Sequence, residues 1–158
     1  MSVPADIEQL ARICQRRNLK IAVAESLTSG LLASTIGRGT NAKDWFCGGI
    51  VAYRTAVKES LLGVPHGLDP CSAACARQLA RGARDVLHAD ISVATTGVGG
   101  PDPEDGHDPG TVYLGWATAH GDEALLLSLD GPPQAVLDRT VRESVTLLIE
   151  LASRAPER

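Results

Sequence analysis

Ile7, Leu10, Ala11 and Cys14 recur at the i, i+3, i+4, i+7 spacing that puts them on one helical face. This predicts a helix over residues 4–18, opened by Pro4 and stopped by Asn18. The pattern then changes: residues 20–24 form a short apolar run suited to a buried strand, and 29–37 reads again as a helix. The heptapeptide AESLTSG at 24–30 therefore lies where a strand hands over to a helix, a common address for ligands in α/β sheets.

Further along, GGIVAY at 48–53 predicts a second strand, and 55–62 a helix that ends before Pro65. Residues 72–87 carry Ala76, Leu79, Ala80, Ala83 and Leu87 along one side of a helix. Residues 91–96 read as a third strand, closed by the glycine cluster that runs from Gly97 to Pro101. The stretch DPEDGHDPG is too polar and too rich in Pro and Gly to be other than a loop. Val112, Leu114 and Trp116 alternate within a strand at 111–118, and a turn at 120–122 leads to a further strand at 124–130. After Pro132 and Pro133, residues 134–154 form a long amphipathic helix. The expected fold is a single α/β domain over 1–158, three layers of α/β/α with a mixed, mostly parallel sheet and a late antiparallel hairpin.

Composition narrows the picture. A chain of 158 residues, 44% hydrophobic, is long enough for one real core and too short for two ordinary domains. With two Trp, two Tyr and one Phe, that core is built from Ala, Val, Leu and Ile, which suits close packing of helix on sheet. The net charge of -4 and the lack of any basic block argue against nucleic acid as a partner and favour a small molecule. No stretch is apolar for long enough to span a bilayer, and the first ten residues lack the features of a signal peptide, so no membrane partner and a cytoplasmic location are expected. The four cysteines show no CxxC pairing and read as small buried hydrophobes, although Cys71 and Cys75 share a helical face as metal ligands sometimes do.

Candidate chemistry gathers at the strand ends. Unpaired N–H groups at a helix start would let the Thr28-Ser29-Gly30 turn hold a phosphate or an oxyanion; alternatively Ser26, Thr28 or Ser29 is an ordinary N-cap. The cluster Thr95-Thr96-Gly97-Val98-Gly99-Gly100-Pro101 allows a ligand close to the backbone, or is simply a tight turn. Lys58 is either a solvated charge on a surface helix or, beside a serine, a general base that needs no histidine. The four histidines fall in turns or helix ends with no GxSxG motif, which disfavours a histidine triad. Asp102, Glu104, Asp105, His107 and Asp108 match no metal-site spacing and read as a solvated loop that folds over the site only if it serves as a lid.

In order and spacing, AES-x-T-x-G, WF-x-GG-x-V-A-Y-x-x-x-x-K, LLGV, TGV-x-GP and PGTVY resemble the CinA C-terminal domain family, whose PncC members are nicotinamide-nucleotide amidases. The likeness runs from about Ile21 to Tyr113. It implies hydrolysis of the carboxamide of nicotinamide mononucleotide with release of ammonia, no metal or other cofactor, and a homo-oligomer. Carried over by motif, Ser26, Tyr53, Lys58 and Thr96 are the implied catalytic residues. Glu25, Thr28, Ser29, Gly30, Gly97, Gly99 and Gly100 are the implied substrate-binding positions, with the helix start facing an anion. The chain departs from the family pattern in three places. The usual GSS before the aromatic pair, which holds a leading candidate for the nucleophile, is replaced near Ala42 and Lys43. Ser29 stands for a glycine, and Gly131-Pro132-Pro133 replaces a frequent GDR. On this reading, activity is weak if the nucleophile belongs at position 42 or 43, and the alternative is a catalytically silent nucleotide-binding protein that acts as a sensor or partner.

Overall fold

A computed structural model describes residues 2–157. The chain order is α1 (Val3–Arg17), β1 (Ile21–Glu25), α2 (Leu31–Ile36), α3 (Ala42–Trp45), β2 (Phe46–Val51), α4 (Thr55–Leu62), α5 (Ala73–Val86), β3 (Ile91–Gly97), β4 (Thr111–Thr118), β5 (Gly121–Ser128) and α6 (Pro133–Arg154). The strands form one sheet in the order β2-β1-β3-β4-β5. β1 is parallel to both β2 and β3, while β4 is antiparallel to β3 and β5. Only β4 therefore runs against the other four. The expected α/β/α layering with a mixed sheet and a late hairpin is the observed architecture.

Alternation along the central strands explains why the layers differ. Ile21, Val23, Ile91 and Val93 belong to a core shared with α1, α2 and α6, whereas Ala24 and Ala94 face a second core built with α4 and α5. The second interface is made of very small residues. A methyl added at Gly115 would lie 2.1 Å from the Ala76 carbonyl oxygen, and one at Gly82 would lie 2.5 Å from that of Leu62. α5 thus rests almost backbone to backbone on β4, and the Ser92 hydroxyl of the neighbouring β3 donates to the Ala80 carbonyl of the same helix. The aliphatic, aromatic-poor composition is what this close approach requires.

Several boundaries differ from expectation. The short α3 was not anticipated, since four residues carry no helical period. β2 starts at Phe46 rather than Gly48, with an irregularity in its pairing opposite Ile21 and Ala22. Gly49 is needed inside that strand because a Cβ there would come within 2.9 Å of both Ala33 and Val23. β5 begins at Gly121 because the hairpin turns over Ala119 and His120 alone, pairing Thr118 with Gly121. Its polar first residues, Asp122 and Glu123, belong to an edge strand, where Asp122 meets Arg77 at 2.8 Å and Arg81 at 3.4 Å. Among the described residues, no helix is long and apolar enough to cross a membrane.

Candidate active site

The parallel strands β1, β2 and β3 end together, and a cavity of about 530 Å³ opens beyond their C-terminal ends. The register Glu25↔Thr95 sets Ser26 beside Thr96, and the Ser26 N–H donates to the Thr95 carbonyl at 3.1 Å. From the other side, the Ala52 N–H donates to the Glu25 carbonyl at 2.8 Å, which delivers Tyr53 and α4 to the same edge. Ser26, Ser29, Tyr53, Lys58, Thr96, Gly97, Gly99 and Gly100 all line the cavity.

Glu25, Thr28 and Gly30 do not line it. The Glu25 carboxylate is 1% exposed and accepts from the backbone N–H groups of Leu32 at 2.8 Å and Ala33 at 2.9 Å. This overturns the expectation that the start of α2 faces a bound anion, because the chain supplies that anion itself. Thr28 is spent in a buried hydroxyl pair with Thr95 at 2.8 Å. Ser29 and Gly30 carry φ of 44° and 106°, and these two left-handed residues reverse the chain from β1 into α2, with Gly30 bearing the conformation a side chain resists.

Lys58 is not a solvated surface charge. It is 3% exposed, and its ammonium donates to the Tyr53 carbonyl at 3.0 Å. Burial lowers its pKa below the ordinary lysine value, against the opposing influence of Cys75, Glu104 and Asp105. The Ser26 hydroxyl, on a residue 7% exposed, has no hydrogen-bond partner among the described residues. The Thr96 hydroxyl donates to the Pro70 carbonyl at 2.6 Å, so its proton is committed and only its lone pairs remain for a ligand. Tyr53, 65% exposed, stands at the mouth. The backbone N–H groups of Leu27, Gly99 and Gly100 find no acceptor among the described residues.

The segment around Ala42 and Lys43 is elsewhere. Thr40 is bonded to Glu8 of α1, Asn41 to Gln15, and the Lys20 ammonium donates to the Asp44 carbonyl at 2.8 Å. These contacts hold α3 at the N-terminal edge of the sheet, opposite the cavity. Within one chain, a serine at 42 or 43 would not reach Lys58, so the expectation tied to that position does not hold for this cavity.

Sequence reasoning missed other parts of the wall. Pro70 and Cys71 arrive from the segment before α5, and Pro133 and Leu137 from the start of α6. Asp102, Glu104 and Asp105 also line the cavity, although their loop read as solvated. A signal for them was present, since the loop joins β3 to β4 at the very edge where the glycine cluster ends. The imidazole of His107 meets the Asp69 carboxylate at 2.7 Å and ties this loop to the segment before α5.

Matched against known proteins, residues 5–152 fit the family model described as the CinA C-terminal domain. The chain belongs to the CinA C-terminal domain family. A competence-damage inducible protein of Geobacillus kaustophilus is 40% identical over 142 residues, covering 87% of this chain but 34% of that protein. This CinA domain therefore spans about a third of the length of the curated relatives it matches. Crystal structures of CinA superfamily proteins share the fold. One from Klebsiella pneumoniae has a TM-score of 0.92 at 26% identity, covering 98% of this chain and all of that one. Another, from Enterobacter cloacae, has a TM-score of 0.91 at 28% identity, over 96% and 93%.

The buried thiols of this CinA domain give a pH-dependent stability. Burial pushes Cys14 up to about 12, and Cys71 and Cys75 up to about 11, from 9.0. An acid whose folded pKa is raised adds stability that is full below its unfolded value and is lost as pH rises toward the folded one. Between pH 9 and 10, Cys14 alone is expected to cost about 1 kcal/mol. Lys58 acts in the opposite sense over the window below 10.5, where its lowered pKa makes stability rise with pH. Urea midpoints at pH 8, 9 and 10 for the wild type and Cys14→Ala test this, and equal pH slopes in the two proteins would remove the assignment to Cys14.

Proposed function

We propose that this CinA domain is an amidohydrolase that cleaves the carboxamide of a nicotinamide nucleotide, with nicotinamide mononucleotide as the substrate the family resemblance implies. The observation that carries this reading is the presence, in one cavity, of an unpartnered serine hydroxyl and a desolvated lysine with lowered pKa. Burial favours the neutral amine, which is the form that can take a proton.

In this mechanism, Lys58 removes the Ser26 proton as Oγ attacks the carboxamide carbon. The oxyanion that forms needs donors, and the unclaimed N–H groups of Leu27, Gly99 and Gly100 are the available ones. Lys58 then returns its proton to the departing nitrogen, releasing ammonia and leaving an ester on Ser26. Water attacks that ester with Lys58 again as base, and the carboxylate leaves as Ser26 is restored. Thr96, able only to accept, orients the substrate amide by taking one of its N–H bonds. Tyr53 offers a ring face to the pyridine at the mouth.

The test is incubation of the purified protein with nicotinamide mononucleotide, following ammonia and the nucleotide carboxylate. Equimolar appearance of both is expected. Thermal stabilisation by the same compound without ammonia would instead mark a binding protein.

A further inference from the structure

Every residue from Gly99 to Asp105 lies on the cavity wall, so the connection between β3 and β4 forms a large part of it. The base of this loop is fixed. The Val98 N–H donates to the Thr111 carbonyl at 2.9 Å and the Gly110 N–H to the Val98 carbonyl at 2.8 Å, and a side chain at Gly110 would collide with the Leu129 carbonyl. Its tip is a tight hairpin. Glu104 and His107 exchange backbone hydrogen bonds of 3.0 and 2.9 Å around Asp105 and Gly106, whose positive φ values of 51° and 80° suit a two-residue turn. Pro101 and Pro103 stiffen the chain that leads to it. Among the described residues, the stretch 99–107 has one hydrogen bond or ion pair with the rest of the protein: the His107 imidazole on the Asp69 carboxylate at 2.7 Å.

We propose that residues 99–107 are a flap over the cavity and that Asp69 and His107 are its catch, positioning residues that hold the flap closed on a bound ligand. Asp69 is a firm anchor for such a catch. Its second carboxylate oxygen accepts the Cys71 N–H at 2.9 Å, and its carbonyl accepts the hydroxyl of Ser72, which caps α5 by accepting the Cys75 N–H at 3.1 Å. The catch itself is easily released, because the two side chains are 44% and 26% exposed and an ion pair that water reaches holds weakly. Room to swing exists at the β3 end, where a Cβ on Gly99 would meet only a Leu137 methyl at 4.0 Å. Release opens the mouth to an entering ligand, and closure returns the Gly99 and Gly100 N–H groups to the cavity. The flap follows from the geometry alone; its effect on turnover rests on the amidase reading.

The experiment compares the wild type with His107→Ala and His107→Gln, using amide hydrogen exchange read by mass spectrometry and the kinetics of ammonia release from nicotinamide mononucleotide. In His107→Ala, peptides spanning 99–110 should exchange about tenfold faster while those of β3 and α5 are unchanged. KM should rise about tenfold with kcat within about twofold, since only the closed fraction holds the ligand. His107→Gln keeps an N–H donor and should restore both quantities most of the way. Asp69→Ala should quicken the same peptides and add nothing when combined with His107→Ala, because the two residues make one bond. Flap exchange in His107→Ala equal to the wild type would overturn the proposal. So would equal damage in His107→Ala and His107→Gln with a lowered urea midpoint, which marks a merely structural histidine. If the wild type releases no ammonia, the amidase reading falls and the exchange alone upholds or overturns the flap.

Discussion

Ser26→Ala and Lys58→Met are each expected to abolish ammonia release while leaving the fold intact. Loss of the base alone should lower kcat about 10²–10⁴-fold, the usual worth of a positioned proton acceptor. Loss of the nucleophile should be at least as severe, and combining the two should cost little more than either alone, because they act as a unit. Stability should separate these variants from general damage. Lys58 is buried, and burial penalises its charged form, so replacing it with an apolar side chain of similar length should leave the urea midpoint unchanged or raised. In the wild type, activity should rise with pH through the lowered Lys58 pKa, since only the unprotonated amine accepts the serine proton. Ammonia release retained in either single variant would exclude that residue from its role.

Glu25→Ala should give the opposite pattern, with stability lost first and activity lost as a result. The carboxylate is almost wholly buried and receives two N–H bonds from the first turn of α2. Its removal leaves both donors without partners and opens a void between β1 and the helix. Hydrogen bonds to a charged group contribute about 1.5–3 kcal/mol each, so a loss of about 3–5 kcal/mol is expected. Glu25→Gln should recover part of this, because one amide oxygen still accepts while the NH₂ group faces a donor. Urea unfolding followed by the fluorescence of Trp45 and Trp116 measures the effect. A loss below about 1 kcal/mol would show that water replaces the carboxylate at no great cost.

The contrast between Ser26 and Glu25 marks how far the sequence could be read. That AESLTSG joins a strand to a helix was legible, because Ile21, Ala22 and Val23 form an apolar run and the helical spacing resumes soon after. Which of its side chains faces outward was not. Glu25 folds back onto amides seven and eight residues ahead, and Thr28 pairs with Thr95 on a neighbouring strand; both depend on tertiary register rather than local pattern. Lys58 carried the same ambiguity, since a helix of eight residues with one lysine does not reveal how closely α5 packs against it. The start of β5 was misplaced because Asp122 and Glu123 look like turn residues until Arg77 and Arg81 are seen across from them. The boundaries of α1 and β4 were legible because each has an unbroken period, and the end of β3 because the glycine cluster from Gly97 closes it.

The seam of glycine, alanine and serine between α5 and the sheet bears on any attempt to evolve this cavity toward other substrates. The Pro70 carbonyl that receives the Thr96 hydroxyl lies just before α5, so a larger residue at Gly115, against Ala76 of α5, would displace a helix whose approach carries part of the cavity wall, and one at Gly82 would push the same helix off Leu62 of α4. Combinatorial libraries should therefore leave the seam untouched and spend their diversity on Pro133 and Leu137, which border the opening from a different helix and can be exchanged without moving Thr96.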